Sequence, residues 1–214
     1  EPYIFLSFDL VKSTEYKNTY KKEWNKIIHQ FFKLLIEELR DSKIFNNLNE
    51  KPILWKYVGD ELLFYKKIES KYELVYFVDK ISRFCSTLKQ KFEKYQKEYF
   101  KLAKIDGDVI LNFKTSIWLA GVNSVARQEK SDLTHGEIRN FKYEILQKDA
   151  NGKDVYLVDF LGPDVDTGFR IAKYVTSDKV VISVELAKAI SIIGKELGIN
   201  ESKFIRIVGY KKLK

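Results

Sequence analysis

The chain has 214 residues, of which 45% are hydrophobic and 14% aromatic, and its formal net charge is +8. This length and hydrophobicity suit one domain over residues 1–214, and no window approaches the eighteen uninterrupted apolar residues of a transmembrane helix. The positive charge comes mostly from lysines scattered along predicted helices, without an arginine-rich block, so we expect neither a nucleic-acid partner nor a membrane partner.

The cellular compartment is predicted from the cysteine count and the first residues. A single cysteine, Cys85, excludes an internal disulfide and indicates a reducing environment. The segment from Glu1 to Leu6 has no charged n-region and enters a strand-like run, so no signal peptide is expected. We therefore expect a cytoplasmic protein.

Hydrophobic periodicity divides the first half of the chain into strands and two long helices. Apolar residues at three-to-four spacing predict a helix from Thr14 to Arg40. A near-heptad apolar stripe predicts a second helix from Lys71 to Lys101, which packing on a sheet explains better than a coiled coil. The strands around these helices are Tyr3–Phe8, the hairpin Ile53–Lys67 and Val109–Gly121.

This order of strand, helix, two strands, helix and strand is the split β-α-β-β-α-β arrangement. It predicts an α+β fold with a ferredoxin-like βαββαβ core and an antiparallel-rich sheet that carries both long helices on one face. C-terminal additions follow the core. They are strands Tyr143–Lys148 and Asp154–Val158, a helix from Gly162 to Tyr174, strand Lys179–Ser183, helix Val184–Leu197 and a closing strand Lys203–Tyr210.

The stretch from Trp55 to Tyr65 has the pattern of two apolar strands joined by a tight turn at Gly59-Asp60. Strand alternation places Lys56 and Asp60 on one side of the first strand and Trp55 on the other. A polar hairpin tip without a site is the simpler interpretation of this turn. In the predicted fold, however, the tip lies beside the end of the first strand, where it can share one site with Asp9.

Two carboxylates at adjacent strand ends, Asp9 and Asp60, match the hard oxygen ligands that two Mg²⁺ ions require. The turn Lys12-Ser13-Thr14 follows Asp9 and starts a helix, whose free N–H groups can hold phosphates. An ordinary cap of this helix is the alternative interpretation of Asp9.

A later segment, from Asp159 to Arg170, carries a second set of charged residues. Asp166 and Arg170 are four residues apart, so they share one face of the predicted helix, and Asp159 precedes the helix start. Taken alone, Asp166 and Arg170 are more simply interpreted as a surface ion pair.

Together these segments resemble the class III nucleotidyl cyclases, which are the catalytic domains of adenylate and guanylate cyclases. The segment from Phe8 to Thr14 is similar to the first metal motif of that family, and Lys56-Tyr57-Val58-Gly59-Asp60 is similar to its Lys-x-x-Gly-Asp segment. The segment from Asp159 to Arg170 reproduces the spacing of Asp-x-x-Gly-x-x-Val-Asn-x-Ala-x-Arg. The segment from Val208 to Lys212 resembles the terminal Val-Lys-Gly-x segment. These motifs occur in the family's order across nearly the whole chain.

The resemblance implies a role for each position. Lys56 and Asp159 read the base, and Arg170 stabilises the transition state. The full implied set consists of the metal ligands Asp9, Leu10 (through its carbonyl) and Asp60 for two Mg²⁺ or Mn²⁺ ions, the substrate-binding residues Lys56, Asp159, Ser13, Thr14 and Lys211, and the catalytic residues Arg170 and Asp166.

Two positions depart from the family pattern. Asp166 stands where the family has the asparagine that orients the ribose, so it adds a negative charge near the expected triphosphate. Gly168 stands where the family has alanine.

The family also takes its metal carboxylates from one subunit and its base-reading and arginine residues from the other, which implies a homodimer with active sites at the subunit interface.

The compact Val-Asp-x-Gly-Phe-Arg segment also resembles the Pycsar pyrimidine cyclases, which make cyclic UMP or cyclic CMP as antiphage signals. This resemblance implies conversion of UTP to cyclic UMP and pyrophosphate, and a downstream cyclic-nucleotide-binding effector. Lys56 as a donor and Asp159 as an acceptor suit uracil and adenine equally. They disfavour guanine by roughly tenfold, because one of its edge groups would stay unpaired. Hydrogen bonding therefore does not decide between adenine and uracil as the base of the substrate.

Other functions stay open beside the pyrimidine cyclase. One is an adenylate cyclase that makes cyclic AMP. Another is a catalytically decayed, cyclase-like regulatory or interaction domain, although such domains typically lose a metal carboxylate and both are present here. A diguanylate cyclase of the GGDEF type would need glycine at Val58.

Overall fold

The computed structural model of the chain describes residues 1–41, 43–45, 48–105, 109–124, 140–177 and 179–198. The first half consists of β1 (Pro2–Val11), α1 (Ser13–Thr19), α2 (Trp24–Asp41), a 3₁₀ turn (Leu48–Glu50), β2 (Ile53–Val58), β3 (Glu61–Lys67), α3 (Lys71–Ala103) and β4 (Asn112–Gly121). Although α3 is 33 residues long, neither it nor any other helix in these ranges is apolar enough to cross a membrane.

The second half adds a long hairpin and two further helices. Its elements are β5 (Asn123–Ser124), β6 (Phe141–Lys148), β7 (Asp154–Leu161), α4 (Pro163–Ile171), a 3₁₀ turn (Ala172–Tyr174), β8 (Val180–Ile182) and α5 (Val184–Glu196). Asp149 Oδ1 accepts hydrogen bonds from the backbone N–H groups of Asn151 and Lys153, which closes the turn between β6 and β7. The predicted closing strand Lys203–Tyr210 lies outside the described residues.

Five strands form the main sheet in the order β2-β3-β1-β4-β8. β1 pairs antiparallel with β3 and β4, β2 pairs antiparallel with β3, and β8 joins β4 in parallel. A second sheet consists of β5, β6 and β7, in which β6 and β7 are antiparallel. The first four strands of the main sheet have the order of a βαββαβ core, so the predicted α+β, antiparallel-rich fold is confirmed.

The first face of the main sheet carries the larger hydrophobic core. Even-numbered residues of β1, such as Ile4 and Phe8, point to this face because side chains alternate along a strand, and both are fully buried. Their cluster includes Phe31 of α2, Phe92 of α3 and Ile190 of α5. Both long helices therefore pack on one face, as predicted.

The second face is divided into an apolar part and a polar part. Phe5 of β1 points to this face and packs against Trp118 of β4 and Phe160 of β7, with ring centroids 5.5 and 4.9 Å away. Farther along β1 the same face carries Ser7 and Asp9. The apolar part holds β7 and α4 against the sheet, whereas the polar part lies at the strand ends.

One predicted helix is two helices in the structure. The expected helix Thr14–Arg40 is interrupted after Thr19, where Tyr20 has a non-helical backbone (φ −110°, ψ 59°). The Tyr20 ring is buried and packs against Tyr16 (4.7 Å) and Phe100 of α3 (5.3 Å). Packing of this ring on α3 ends α1 and redirects the chain into α2, so the prediction of a continuous helix was wrong.

Candidate active site

Asp9 lies near the end of β1, between two neighbouring strands. Its cross-strand partners are Glu61 of β3 and Lys114 of β4. Asp60 occupies the turn between β2 and β3, where Gly59 takes a φ of +64°, which glycine adopts without steric cost. Because Asp60 directly precedes Glu61, the structure brings the two predicted metal carboxylates to the same end of the sheet.

The charges around Asp9 are incompletely compensated. Burial raises the pKa of the Asp9 carboxyl above its ordinary 3.8, and the negative charge of Asp60 adds to this, although Lys114 opposes both. Lys114 Nζ lies 3.0 Å from Asp9 Oδ2. Burial also raises the pKa of Glu61, whose carboxylate accepts a hydrogen bond from the Ser7 hydroxyl. Asp9 and Glu61 therefore share the charge of Lys114, and the negative charge of Asp60 acts on both.

This group of side chains fits the chemistry of a divalent cation. Carboxylate oxygens are the ligands that Mg²⁺ and Mn²⁺ prefer, and carboxyl groups whose ionised form is disfavoured gain stability from a bound cation. Within the described ranges, no group of three or more His, Cys, Asp or Glu side chains is arranged to hold a metal ion. In the predicted site, an ion held by Asp9 and Asp60 would take its other ligands from the Leu10 carbonyl, water and substrate oxygens.

The predicted phosphate contacts lie where α1 begins. Ser13 is buried and Thr14 is exposed, and Lys12 before them has a left-handed backbone with a φ of 60°. This end of α1 follows Asp9 by a few residues, so it lies near the candidate metal ligands. The roles of Ser13 and Thr14 stay predictions. Lys211, the third predicted phosphate contact, lies outside the described residues.

The predicted base-reading pair is in contact across the two sheets. Lys56 Nζ of β2 lies 2.8 Å from Asp159 Oδ1 of β7. The same Oδ1 accepts hydrogen bonds from Trp55 Nε1 (2.8 Å) and from the backbone N–H of Phe160 (2.9 Å). The Tyr143 hydroxyl of β6 donates to Oδ2 at 3.2 Å. Asp159 is thus held by four donors.

Strand alternation predicted that Trp55 points away from Lys56, and this prediction was wrong. The pairing of β2 with β3 shifts between Leu54 and Lys56, which leaves Trp55 as an extra residue in the strand. Such a β-bulge breaks the alternation of side chains. Trp55 and Lys56 consequently both reach Asp159, and Lys56 Nζ lies 4.1 Å from the centroid of the Trp55 ring.

The electrostatics of Asp159 are opposite to those of Asp9. Burial alone would raise the pKa of Asp159, but the hydrogen bonds from Lys56, the Phe160 N–H and Trp55 outweigh it and hold the pKa below its ordinary value. The Asp159 carboxylate is therefore ionised, and its hydrogen bonds come from the chain itself. This arrangement presents a donor and an acceptor side by side, as recognition of a base edge requires.

Asp166 and Arg170 lie on α4, and both are exposed. Among the described residues they form no ion pair with each other, so the interpretation as a surface ion pair is not supported. Pro163 stands at the start of the helix after Gly162, whose φ of 140° favours glycine. The helix thus presents both side chains on its outer surface.

Packing explains why position 168 in α4 is glycine rather than the alanine of the cyclase motif. An ideal Cβ at this position would lie 2.0 Å from Trp118 Cε2, far inside contact distance. The Trp118 ring is fully buried and occupies the space that an alanine methyl would need. The glycine and the tryptophan therefore fit together as a pair.

The sequence reasoning missed several residues of these two clusters. Lys114 and Glu61 carry no motif, and the register of β1 with its neighbours is what places them opposite Asp9. Tyr143 reaches Asp159 because the two residues are cross-strand partners in the β6–β7 hairpin. Exact strand pairing is thus the signal that would have found them, and Trp55 would also have required prediction of the bulge.

The sequence matches no family model and no curated protein, but solved structures share its fold. The adenylyl cyclase CyaB from P. aeruginosa is 16% identical with a TM-score of 0.50, and the match covers 89% of this chain and 81% of that chain. The guanylyl cyclase Cya2 is 12% identical with a TM-score of 0.54, over 89% and 78%. The dimeric guanylyl cyclase domain of the RhoGC fusion protein from Blastocladiella emersonii is 12% identical with a TM-score of 0.52, over 90% and 84%. The chain therefore has the fold of these adenylyl and guanylyl cyclases.

Proposed function

We propose that the chain is a metal-dependent nucleotidyl cyclase that converts UTP to 3′,5′-cyclic UMP and pyrophosphate. The observation that carries this proposal is the combination of two clusters on a cyclase fold. One is the incompletely compensated carboxylate group around Asp9 and Asp60, and the other is the preformed pair of Lys56 and Asp159. The first suits cations and phosphates, and the second suits a base edge.

In the proposed reaction the 3′-hydroxyl loses its proton to water, its oxygen attacks the α-phosphorus in line, the bond from that phosphorus to the bridging oxygen breaks, and pyrophosphate leaves. Asp9, Asp60 and the Leu10 carbonyl would hold two Mg²⁺ or Mn²⁺ ions, which would lower the pKa of the 3′-hydroxyl and offset the charge of the triphosphate. Lys56 and Asp159 orient the base. Arg170 stabilises the charge that develops on the phosphate oxygens.

The remaining site residues have supporting roles in this proposal. Ser13 and Thr14 contact phosphate oxygens at the start of α1, and Lys211 is proposed as a further phosphate-binding residue. Asp166 stands at the ribose-orienting position and accepts a hydrogen bond from a sugar hydroxyl, where an asparagine could also donate one. Its carboxylate is exposed, four residues from Arg170 on the same helix.

We place the complete site at the interface of a homodimer. Support comes from exposed apolar side chains on β2 and on the β6–β7 hairpin, the two elements that carry Lys56 and Asp159. These side chains are Ile53, Leu54, Tyr57 and Val58 on β2, and Ile145, Leu146, Tyr156 and Leu157 on the hairpin. Apolar groups of this kind mark association surfaces. One solved structure with the same fold is described as dimeric.

The choice of UTP, the antiphage role and the downstream effector that reads cyclic UMP rest on the resemblance to the Pycsar cyclases. An adenylate cyclase that makes cyclic AMP is the second candidate, because the donor and acceptor of Lys56 and Asp159 also match N1 and N6 of adenine. A decayed regulatory domain is disfavoured by the retention of both Asp9 and Asp60.

The test is to offer ATP, GTP, CTP and UTP separately with Mg²⁺ or Mn²⁺ and to identify the products by chromatography. We expect cyclic UMP and pyrophosphate from the wild type, and neither from Asp60→Asn. Cyclic AMP as the sole product would refute the pyrimidine assignment. No cyclic product from any triphosphate would refute the enzyme and favour a regulatory domain.

A further inference from the structure

The two oxygens of the Asp159 carboxylate have different acceptor capacities. Oδ1 accepts from Lys56 Nζ (2.8 Å), Trp55 Nε1 (2.8 Å) and the Phe160 N–H (2.9 Å). A carboxylate offers about two acceptor sites on each oxygen, so Oδ1 has none left for a ligand. Oδ2 accepts from the Tyr143 hydroxyl at 3.2 Å. An N–H group of an incoming base would therefore bind Oδ2.

Packing of Trp55 keeps the carboxylate in this orientation. The Trp55 ring lies 5.4 Å from Phe5 and 5.3 Å from Phe160, and it contacts Phe160 edge to face. Its Nε1 is therefore a fixed donor to Oδ1, and rotation of the Asp159 side chain would break this bond and the one from the Phe160 N–H. Lys56 is consequently held at Oδ1 and the Tyr143 hydroxyl at Oδ2, so the two donors lie at the two oxygens of one carboxylate.

We propose that Tyr143 is a specificity-determining residue of the base pocket, and that its hydroxyl donates to O2 of uracil. This inference rests on the proposed cyclase function and names the base of its substrate. Lys56 donates to O4, Oδ2 accepts from N3–H, and the Tyr143 hydroxyl, displaced from Oδ2 by N3–H, turns to O2. The donor, acceptor and donor of the protein then match the acceptor, donor and acceptor of uracil.

The Tyr143 hydroxyl can serve as this donor because it stays protonated at neutral pH. Burial and the adjacent charge of Asp159 both raise the pKa of the phenol above 10.0. The displacement also leaves the number of hydrogen bonds balanced, since N3–H replaces the phenol at Oδ2 and O2 becomes the new partner of the phenol. Tyr143 is half-buried, so an unpaired O2 beside it would lack full access to water.

The other bases do not complete this set of hydrogen bonds in the same way. Adenine can pair N1 with Lys56 and N6 with Oδ2, but the acceptor that then follows N6 towards Tyr143 is the recessed ring nitrogen N7 rather than a protruding carbonyl oxygen. Cytosine in the uracil orientation places its amino group against the Lys56 ammonium. Guanine, read through O6 and N1–H, has an amino group where uracil has O2, so the hydroxyl would have to accept. Tyr143 therefore favours uracil over adenine by the additional carbonyl contact.

The test measures binding rather than turnover. The probes are α,β-methylene-UTP and α,β-methylene-ATP, in which the bond that must break is replaced by a carbon bridge, titrated calorimetrically in Mn²⁺. We expect Tyr143→Phe to weaken the uridine analogue by about tenfold, because a carbonyl loses its donor, and the adenosine analogue by less than about twofold. Tyr72→Phe, at an exposed position of α3, is the matched control and should change neither.

A change of one ligand atom sharpens the test. Sulfur is a weak hydrogen-bond acceptor, so replacement of O2 by sulfur in the uridine analogue should weaken binding to the wild type several-fold. The same replacement should have little effect on Tyr143→Phe, which has already lost the donor. Equal losses for both bases in Tyr143→Phe, or no loss for uridine, would overturn the inference.

The outcomes also separate this inference from the proposed function. A chain that shows these binding ratios but forms no cyclic nucleotide would keep Tyr143 as a base-reading residue and refute the cyclase. A chain that forms cyclic UMP with an unchanged preference in Tyr143→Phe would keep the cyclase and refute the inference. Failure of the wild type to bind either analogue would overturn both.

Discussion

Asp9 and Asp159 are both partly buried carboxylates beside a lysine, yet their surroundings differ. Asp159 accepts hydrogen bonds from four donors, and its pKa is lowered. Asp9 shares Lys114 with Glu61 beside the further negative charge of Asp60, and its pKa is raised. The protein thus completes one carboxylate site with its own atoms and leaves the other short of positive charge.

This difference indicates what each site is able to bind. A satisfied carboxylate gains little from another cation, but it offers a fixed pattern of donors and acceptors that a base edge can match. A carboxylate group with a deficit of positive charge attracts cations and the phosphates that accompany them. The sites proposed for base recognition and for metal-assisted transfer therefore have different electrostatic characters.

The largest effect is expected from Asp60→Asn, which removes charge from the group around Asp9. Cyclic nucleotide formation should fall by about a thousandfold or more, because bound metal ions supply several kcal/mol of transition-state stabilisation. Calorimetry should show loss of Mn²⁺ binding with an unchanged circular dichroism spectrum. The control is Asp154→Asn, an exposed residue paired with Lys148. Retention of both activity and Mn²⁺ affinity would refute the metal assignment.

A substitution in α4, the helix that carries Asp166 and Arg170, should lower the stability of the fold. Gly168→Ala restores the residue of the cyclase motif, yet the new methyl would overlap the buried Trp118 ring. Overpacking of this kind costs about 1–3 kcal/mol, which urea unfolding would measure. Gly121→Ala is the matched control, because a Cβ there has no neighbour within 4 Å. An unchanged unfolding midpoint for Gly168→Ala would contradict the packing described for α4.

The pH dependence should separate the two carboxylates. A metal ion binds the ionised form of Asp9, so lowering the pH through the raised pKa should weaken Mn²⁺ binding, by about tenfold per pH unit if one proton competes. This loss should begin above pH 3.8, where an ordinary aspartate is still ionised. Mn²⁺ titrations across this range check the prediction, and a constant affinity down to pH 4 would contradict it.

In the metal-free protein, the two carboxylate sites should make stability depend on pH in opposite directions. Asp9 and Glu61 have raised pKa values. Their contribution to the free energy of unfolding is therefore fully present below their ordinary pKa values and is lost as the pH rises through the raised ones. Asp159 has a lowered pKa, so its contribution is present above its ordinary value and is lost as the pH falls through the lowered one. Addition of metal should remove the loss at Asp9.

The smallest effect is expected from Lys114→Met. The ammonium of Lys114 competes with a metal ion for Asp9, and its pair is partly buried, so its removal should raise Mn²⁺ affinity by about fivefold without nucleotide. Lys97→Met, which removes an exposed partner of Glu93, is the control. A weaker affinity in Lys114→Met would mean that the lysine orients Asp9 for the metal rather than competing with it.

Sequence patterns predicted the strand and helix order and the Gly59 turn, because each depends on local periodicity, whereas only the resemblance to the cyclase motifs implied that Lys56 and Asp159 act together. They did not predict the end of α1 at Tyr20 or the bulge at Trp55, because both depend on packing with distant segments, Phe100 of α3 in the first case and Asp159 in the second. Prediction of cross-strand neighbours requires the pairing register of the strands, which a residue pattern does not contain.

The central claim is that the two carboxylate sites of different subunits combine into one active site. The most direct test mixes Asp60→Asn chains with Arg170→Ala chains, each inactive alone, under conditions in which subunits exchange. Random exchange gives heterodimers with one competent site, so about a quarter of the wild-type cyclase activity should return. A mixture that stays inactive although the chains exchange would contradict a shared site.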